Sequence, residues 1–125
     1  MKAILLIAIG GGVGAVFRFL LSKGAQTLLG FTFPYGTLAV NIIGSFLIGL
    51  ISIVIFEHVG EMAQDLRSLL IVGLLGGFTT FSSFSLETVS LWENRELFKT
   101  GLYLIFSVAL CLVATWCGLT LGRRI

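Results

Sequence analysis

The chain has 125 residues, 57% hydrophobic and only 11% charged, with a formal net charge of +2 and a mean hydropathy of +1.08. Soluble domains place charge on about a quarter of their residues, so this composition excludes a soluble globular domain and describes a protein solvated by a lipid bilayer. The eight Lys and Arg and six Asp and Glu fall mostly between long apolar runs, which points to one compact membrane domain over residues 1–125.

Crossing the hydrocarbon core as a helix takes about 20 apolar residues, and four runs qualify: approximately Ala3–Leu21, Gly36–Phe56, Leu66–Trp92 and Gly101–Leu121. The first follows Lys2, as in a signal peptide. No small-x-small cleavage site closes it, however, and Arg18 and Lys23 come next, so it is read as a retained span. Gly10 with Gly14, Gly11 with Ala15 and Ser45 with Gly49 are small pairs at helical spacing, suited to close helix contacts. Pro34, the only proline, precedes the second run, where it ends a loop without breaking a helix. Along that run Thr37, Asn41, Ser45 and Ser52 share one arc. Asn41 carries two amide hydrogens that lipid cannot satisfy, which an interhelical bond or a pathway would use. His58 stands in a polar loop with Glu57, Glu61 and Asp65 and reads as a solvated side chain.

The third run is the unusual one. Gly76 and Gly77 weaken the helix, and Thr79, Thr80, Ser82, Ser83 and Ser85 compete for backbone hydrogen bonds. A break is expected near Gly77–Thr80, and at membrane depth irregular backbone persists only where protein buries it or it lines a cavity. Carbonyls freed there suit a hard cation such as sodium; the alternative is an unbroken helix with back-bonded hydroxyls. Phe81 and Phe84 could present positive ring edges to an anion, or simply pack. Asn41, Thr80, Ser82, Ser83 and Ser85 add neutral donors, and weak multi-site donation is what conduction needs. Glu87 reads equally as a relay or as a residue of a wet vestibule. In the fourth run Thr100, Tyr103, Ser107 and Cys111 form a second polar arc. Cys111 and Cys117 lie about 120° apart on a helix, cannot bridge, and read as packing residues. Arg18, near an end of the first span, can snorkel or shape the field at an aqueous mouth.

Four spans put both termini on one side with the 57–65 loop. That side carries Lys2, Arg67, Arg123 and Arg124; the other carries Arg18, Lys23, Arg95 and Lys99. Orientation follows a bias in basic residues. With none here, dual insertion is expected, and opposed copies could pair about an axis in the membrane plane.

Three segments carry a family resemblance. Gly11–Arg18, Gly36–Phe46 and above all Gly76–Ser85, within a four-span chain of balanced charge, resemble the Fluc (CrcB-type) fluoride channels over the full length. One departure is Phe78, where a smaller aliphatic residue is usual. The resemblance implies an all-α membrane protein with four transmembrane helices per subunit and a broken third helix, assembled as an antiparallel dual-topology homodimer. It implies a channel, not an enzyme, for passive fluoride export across the cell (inner or plasma) membrane of a prokaryote. Its partners would be fluoride, the lipid bilayer and a second copy, with no nucleic acid. Carried over, Asn41 would coordinate fluoride, Phe81 and Phe84 would be the edge-on pair, and Thr80, Ser82, Tyr103, Ser107 and Glu87 would line the polar track. Arg18 would sit at the vestibule, and the Gly76 and Thr79 carbonyls of both copies would hold a central structural sodium ion.

Two other classes compete. A small multidrug transporter would need a membrane-embedded carboxylate in its first span, and that span has none. A non-transporting scaffold would use its polar stripes only for packing. No nucleophile–base pair or metal-ligand cluster for an enzyme occurs within the spans.

Overall fold

The computed structural model describes Met1–Ile125. Every regular element is helical: α1 (Lys2–Leu29), α2 (Tyr35–His58), α3 (Ala63–Leu66), a π-helical segment (Arg67–Leu75), α4 (Gly76–Phe78), α5 (Phe81–Glu93) and α6 (Leu97–Arg124). Four stretches are long and apolar enough to cross a membrane: α1, α2, the compound stretch Ala63–Glu93, and α6. The chain is therefore a multi-pass membrane protein. Only 21 of 125 residues are buried, while large apolar side chains such as Leu5, Ile9, Phe17, Ile105 and Leu112 are exposed. That is the inside-out distribution expected where lipid is the solvent.

The two 28-residue helices, α1 and α6, are each about 42 Å long at 1.5 Å per residue. The hydrocarbon core is about 30 Å thick, so both extend into the headgroup layers. This is why they run beyond the apolar stretches Ala3–Leu21 and Gly101–Leu121: a helix continues through polar residues once its ends reach water.

Consecutive spans are antiparallel. Lys99 Nζ donates to Thr32 O at 3.1 Å and joins the first turn of α6 to the α1–α2 connection at one end. At the other end, Lys2 pairs with Asp65 at 2.7 Å. Two chain reversals use left-handed backbone. Gly30 closes α1 at φ 107°, where the lack of a Cβ removes the steric cost. Arg95 closes α5 at φ 61°. Its N–H reaches Trp92 O and the next N–H, of Glu96, reaches Leu91 O, both at 3.0 Å. This is the paired C-terminal closure that usually carries glycine.

Glycines glue the spans in two pairs. A Cβ on Gly10 or Gly14 would collide with backbone of the π-helical segment, at Leu69 and Leu74 respectively. A Cβ on Gly49 would collide with Thr115 O, and one on Gly118 with Phe46 O. The α1 backbone thus lies directly on the third span, and α2 directly on α6. Such contact replaces the hydrophobic driving force that lipid does not supply. Of the small pairs legible in the sequence, Gly10 and Gly14 both face a neighbouring span, whereas Ser45 lines a cavity beside the buried Gly49.

Candidate functional site

The third span is interrupted at two residues. Thr79 (φ −85°, ψ 157°) and Thr80 (φ −150°, ψ 117°) are extended, with helix on either side. The hydrogen bonds show why. In a continuous helix the Thr80 N–H would bond to Gly76 O, and the Ser83 N–H to Thr79 O. Instead Thr80 N donates to Asn41 Oδ1 at 2.8 Å, and Ser83 N donates to Thr80 Oγ1 at 3.2 Å. Asn41 Nδ2 in turn donates to Thr80 O at 3.0 Å. The amide of α2 therefore clamps both backbone groups of one residue in the third span. Thr80 is at the same time the N-cap of α5, which satisfies an orphan donor of that helix.

The interruption deprives four carbonyls of their helical donors, those of Gly76, Gly77, Phe78 and Thr79, because no helical turn spans Thr79 and Thr80. Of these four residues, Gly76 and Thr79 line one cavity. Neutral backbone oxygens are the donor chemistry a hard monovalent cation accepts, so this pair fits sodium. No group of His, Cys, Asp or Glu gathers to form a metal centre of the carboxylate or thiolate type.

Two cavities meet at Thr80. The first, about 400 Å³, is lined by Asn41, Ser45, Thr79, Thr80, Phe81, Phe84, Ser107 and Cys111, with apolar side chains of α2, the third span and α6. No Lys, Arg, Asp or Glu lines it. The second, about 330 Å³, contains Arg18, Ser22, Lys23, Gln26, Thr37, Thr80 and Ser83. One cavity is thus neutral and the other basic, with the Asn41–Thr80 clamp at their junction.

Nine of the residues singled out in the sequence gather at the first cavity: Asn41, Ser45, Gly76, Thr79, Thr80, Phe81, Phe84, Ser107 and Cys111. The rings of Phe81 and Phe84 lie 5.4 Å apart, tilted by 51°. Their environments differ: Phe84 is 8% exposed and Phe81 77% exposed within one chain. Arg18 is in the second cavity. Tyr103 is fully buried, packs on Phe84 at 5.1 Å, and its hydroxyl donates to Glu87 Oε1 at 3.1 Å. Ser82 is exposed, with its Oγ 3.3 Å from Thr80 Oγ1.

One of the two Asn41 amide hydrogens is engaged by Thr80 O, which leaves one for a ligand. The Thr80 hydroxyl donates to Ser83 Oγ at 3.2 Å while capping α5. Thr79, Thr88, Thr100 and Thr115 return their hydroxyls to the carbonyl four residues earlier, the back-bonding that keeps a polar side chain in a span without a partner helix. Ser107 is different: its Oγ is buried and has no hydrogen-bond partner.

Of the basic cavity, sequence reasoning singled out Arg18, Thr37, Thr80 and Ser83 but overlooked Ser22 and Gln26. The signal was present. Ser22 and Gln26 follow Arg18 at four-residue steps and so share its helix face, but neither residue type is unusual enough near a span end to attract notice.

A four-helix membrane protein with its third span opened at a neutral, donor-lined cavity has the architecture of a membrane ion pathway. Residues 5–119 match the family described as CrcB-like protein, Camphor Resistance (CrcB), and the chain belongs to that family. Among its relatives, the fluoride-specific ion channel FluC of Geobacter sulfurreducens is 52% identical over 125 residues, all of both chains. That of Agrobacterium fabrum is 46% identical, covering 100% of this chain and 99% of the relative. That of Coxiella burnetii strain Dugway is 47% identical over 98% of each. The family is one of ion channels, not enzymes, and the multidrug-transporter and scaffold alternatives fall with that membership.

Proposed function

We propose that the chain is one half of a fluoride-selective channel that lets fluoride leave the cell passively and so relieves its toxicity. The observation that carries this reading is the first cavity, where an amide hydrogen, a free serine hydroxyl and two phenylalanine rings meet without any charged side chain. Fluoride is small and strongly hydrated, so a pore must replace its water donors at close range. Asn41, Ser107 and ring edges at Phe81 and Phe84 can do so without a formal positive charge that would trap the ion. Arg18 in the basic cavity raises the local anion concentration at the mouth. Glu87 holds Tyr103 in place through their hydrogen bond, and Thr80 and Ser82 continue the polar track. The names of the full-length relatives support the choice of anion. Hydrogen fluoride enters from an acidic exterior, dissociates in the cytoplasm, and the ion then leaves down its own gradient.

The working unit is an antiparallel homodimer in the inner or plasma membrane. Balanced basic residues at the two ends support insertion in both orientations. Phe81, Gly76 and Ser82, all exposed within one chain, supply surface for a second copy to cover. The Gly76 and Thr79 carbonyls of both copies would hold a sodium ion, whose charge would tie the facing oxygens together.

The test is ion efflux from liposomes. Purified protein in fluoride-loaded vesicles should release fluoride rapidly and chloride-loaded vesicles should retain chloride; release of neither ion would sink the reading. Phe81→Ile removes a ring while keeping apolar bulk. It should cut fluoride efflux by about tenfold or more with the dimer intact by size-exclusion chromatography, and an unaltered rate would take Phe81 out of the pathway. Exchanging sodium for N-methylglucamine should shift the dimer towards monomer at low protein concentration, as counted by single-molecule photobleaching. A dimer indifferent to that exchange would count against the carbonyl site.

A further inference from the structure

The α6 face that borders the neutral cavity carries a thiol. Tyr103, Ser107, Cys111 and Thr115 recur every fourth residue and so form one stripe along the helix. Cys111 is free, partly exposed, and lines the cavity beside Ser107. Cys117, the other free thiol, is exposed and lines neither cavity. A thiol alone defines no site, but a second observation marks this location as one that takes a guest: Ser107 is 93% buried (7% exposed), lines the same cavity, and its Oγ bonds to nothing. A buried hydroxyl without a partner is costly unless something occupies the space in front of it.

We propose that Cys111 is a soft-metal site through which organomercurials block the channel. Sulfur ligands select soft metals over hard ones, and the cavity offers one thiol without a nearby carboxylate or imidazole, so it suits a metal that needs a single protein ligand. With methylmercury chloride the Cys111 sulfur forms the S–Hg bond, the Hg–Cl bond breaks, chloride departs, and the thiol proton goes to water. No oxidant or reductant takes part. The neutral reagent reaches the cavity from water or from the bilayer, and the bound methylmercury fills the space between Ser107 and the α2 face that carries Asn41 and Ser45. The block rests on the channel reading; the bond to Cys111 does not.

Full-length protein in liposomes is treated with methylmercury chloride. Fluoride efflux is compared with the untreated rate of the same variant, and the modified residue is located by mass spectrometry of the intact protein and its peptides. Wild type should lose roughly tenfold of its rate and carry mercury on Cys111. Cys117→Ser should respond as wild type does, whereas Cys111→Ser should keep its own untreated rate in the presence of the reagent. An unmodified Cys111 in protein labelled at Cys117, or full efflux through protein labelled at Cys111, overturns the proposal. If untreated wild type carries no fluoride, the channel reading fails on its own. The mass measurement then judges the site by itself: an adduct on Cys111 supports it and a bare Cys111 overturns it.

Discussion

Asn41→Asp should bring fluoride efflux close to the protein-free background. The side chain is nearly isosteric, so the effect comes from donor count and charge. In the native chain the amide accepts from Thr80 N at 2.8 Å and donates to Thr80 O at 3.0 Å. A carboxylate keeps the first bond and turns the second into an oxygen facing an oxygen. Loss of a buried partner together with that repulsion costs about 2–3 kcal/mol. The same substitution sets a negative charge at the junction of the two cavities, where an anion must pass. Asn41→Ser separates the two effects, because it removes the clamp without adding charge. Expected efflux is lost by more than tenfold in Asp and less in Ser; amide hydrogen exchange at Thr80, whose N–H loses its acceptor, should quicken in Ser and stay slow in Asp, which keeps that acceptor. Wild-type efflux in the Asp variant would mean that Asn41 does not border the pathway, and unchanged exchange in Ser would mean that the side chain at position 41 does not hold the Thr80 N–H.

Gly14→Val should prevent the chain from folding to a stable species in detergent. The added Cβ meets Leu74 O and lies 3.0 Å from Phe78 N, both backbone atoms with no rotamer to retreat to. To relieve the clash, α1 must move off the third span, and that span carries Gly76–Thr80. Overpacking against backbone costs about 3 kcal/mol or more, enough to consume much of a typical stability margin. Gly12→Ala, two residues away, is the control: nothing lies within 4 Å of the added Cβ, and unchanged or slightly raised stability, by up to about 1 kcal/mol, is expected from helix propensity. Thermal unfolding followed by size-exclusion recovery measures both. A Gly14→Val protein that melts and elutes as wild type does would refute the close contact.

Hydropathy alone made the four spans legible, because about 20 apolar residues have few other uses. The family segment Gly76–Ser85 was legible for a related reason: five hydroxyl residues after a glycine pair are conspicuous in an apolar run. The partner of Asn41 was not. Its ligand is a backbone 39 residues away, and a backbone group has no residue type to betray it. The π-helical turn at Arg67–Leu75 was equally hidden, since its sequence, RSLLIVGLL, reads as ordinary span. Among the hydroxyls, residue type could not separate Thr115, bonded to its own helix, from Ser107, bonded to nothing. That difference depends on rotamer and neighbours.

The sequence by itself determined the solvent, the number of crossings, the balance of basic residues at the two ends, and the stretch where the third crossing fails, because each depends on composition along the chain. Tertiary structure decided which backbone groups that failure releases. Asn41 arrives from α2 to take the Thr80 N–H, the Thr80 hydroxyl takes the Ser83 N–H, and the carbonyls of Gly76, Gly77, Phe78 and Thr79 are left without their helical donors. Hydrogen bonds between distant segments exist only once the helices are packed, and here glycine-to-backbone contact sets that packing.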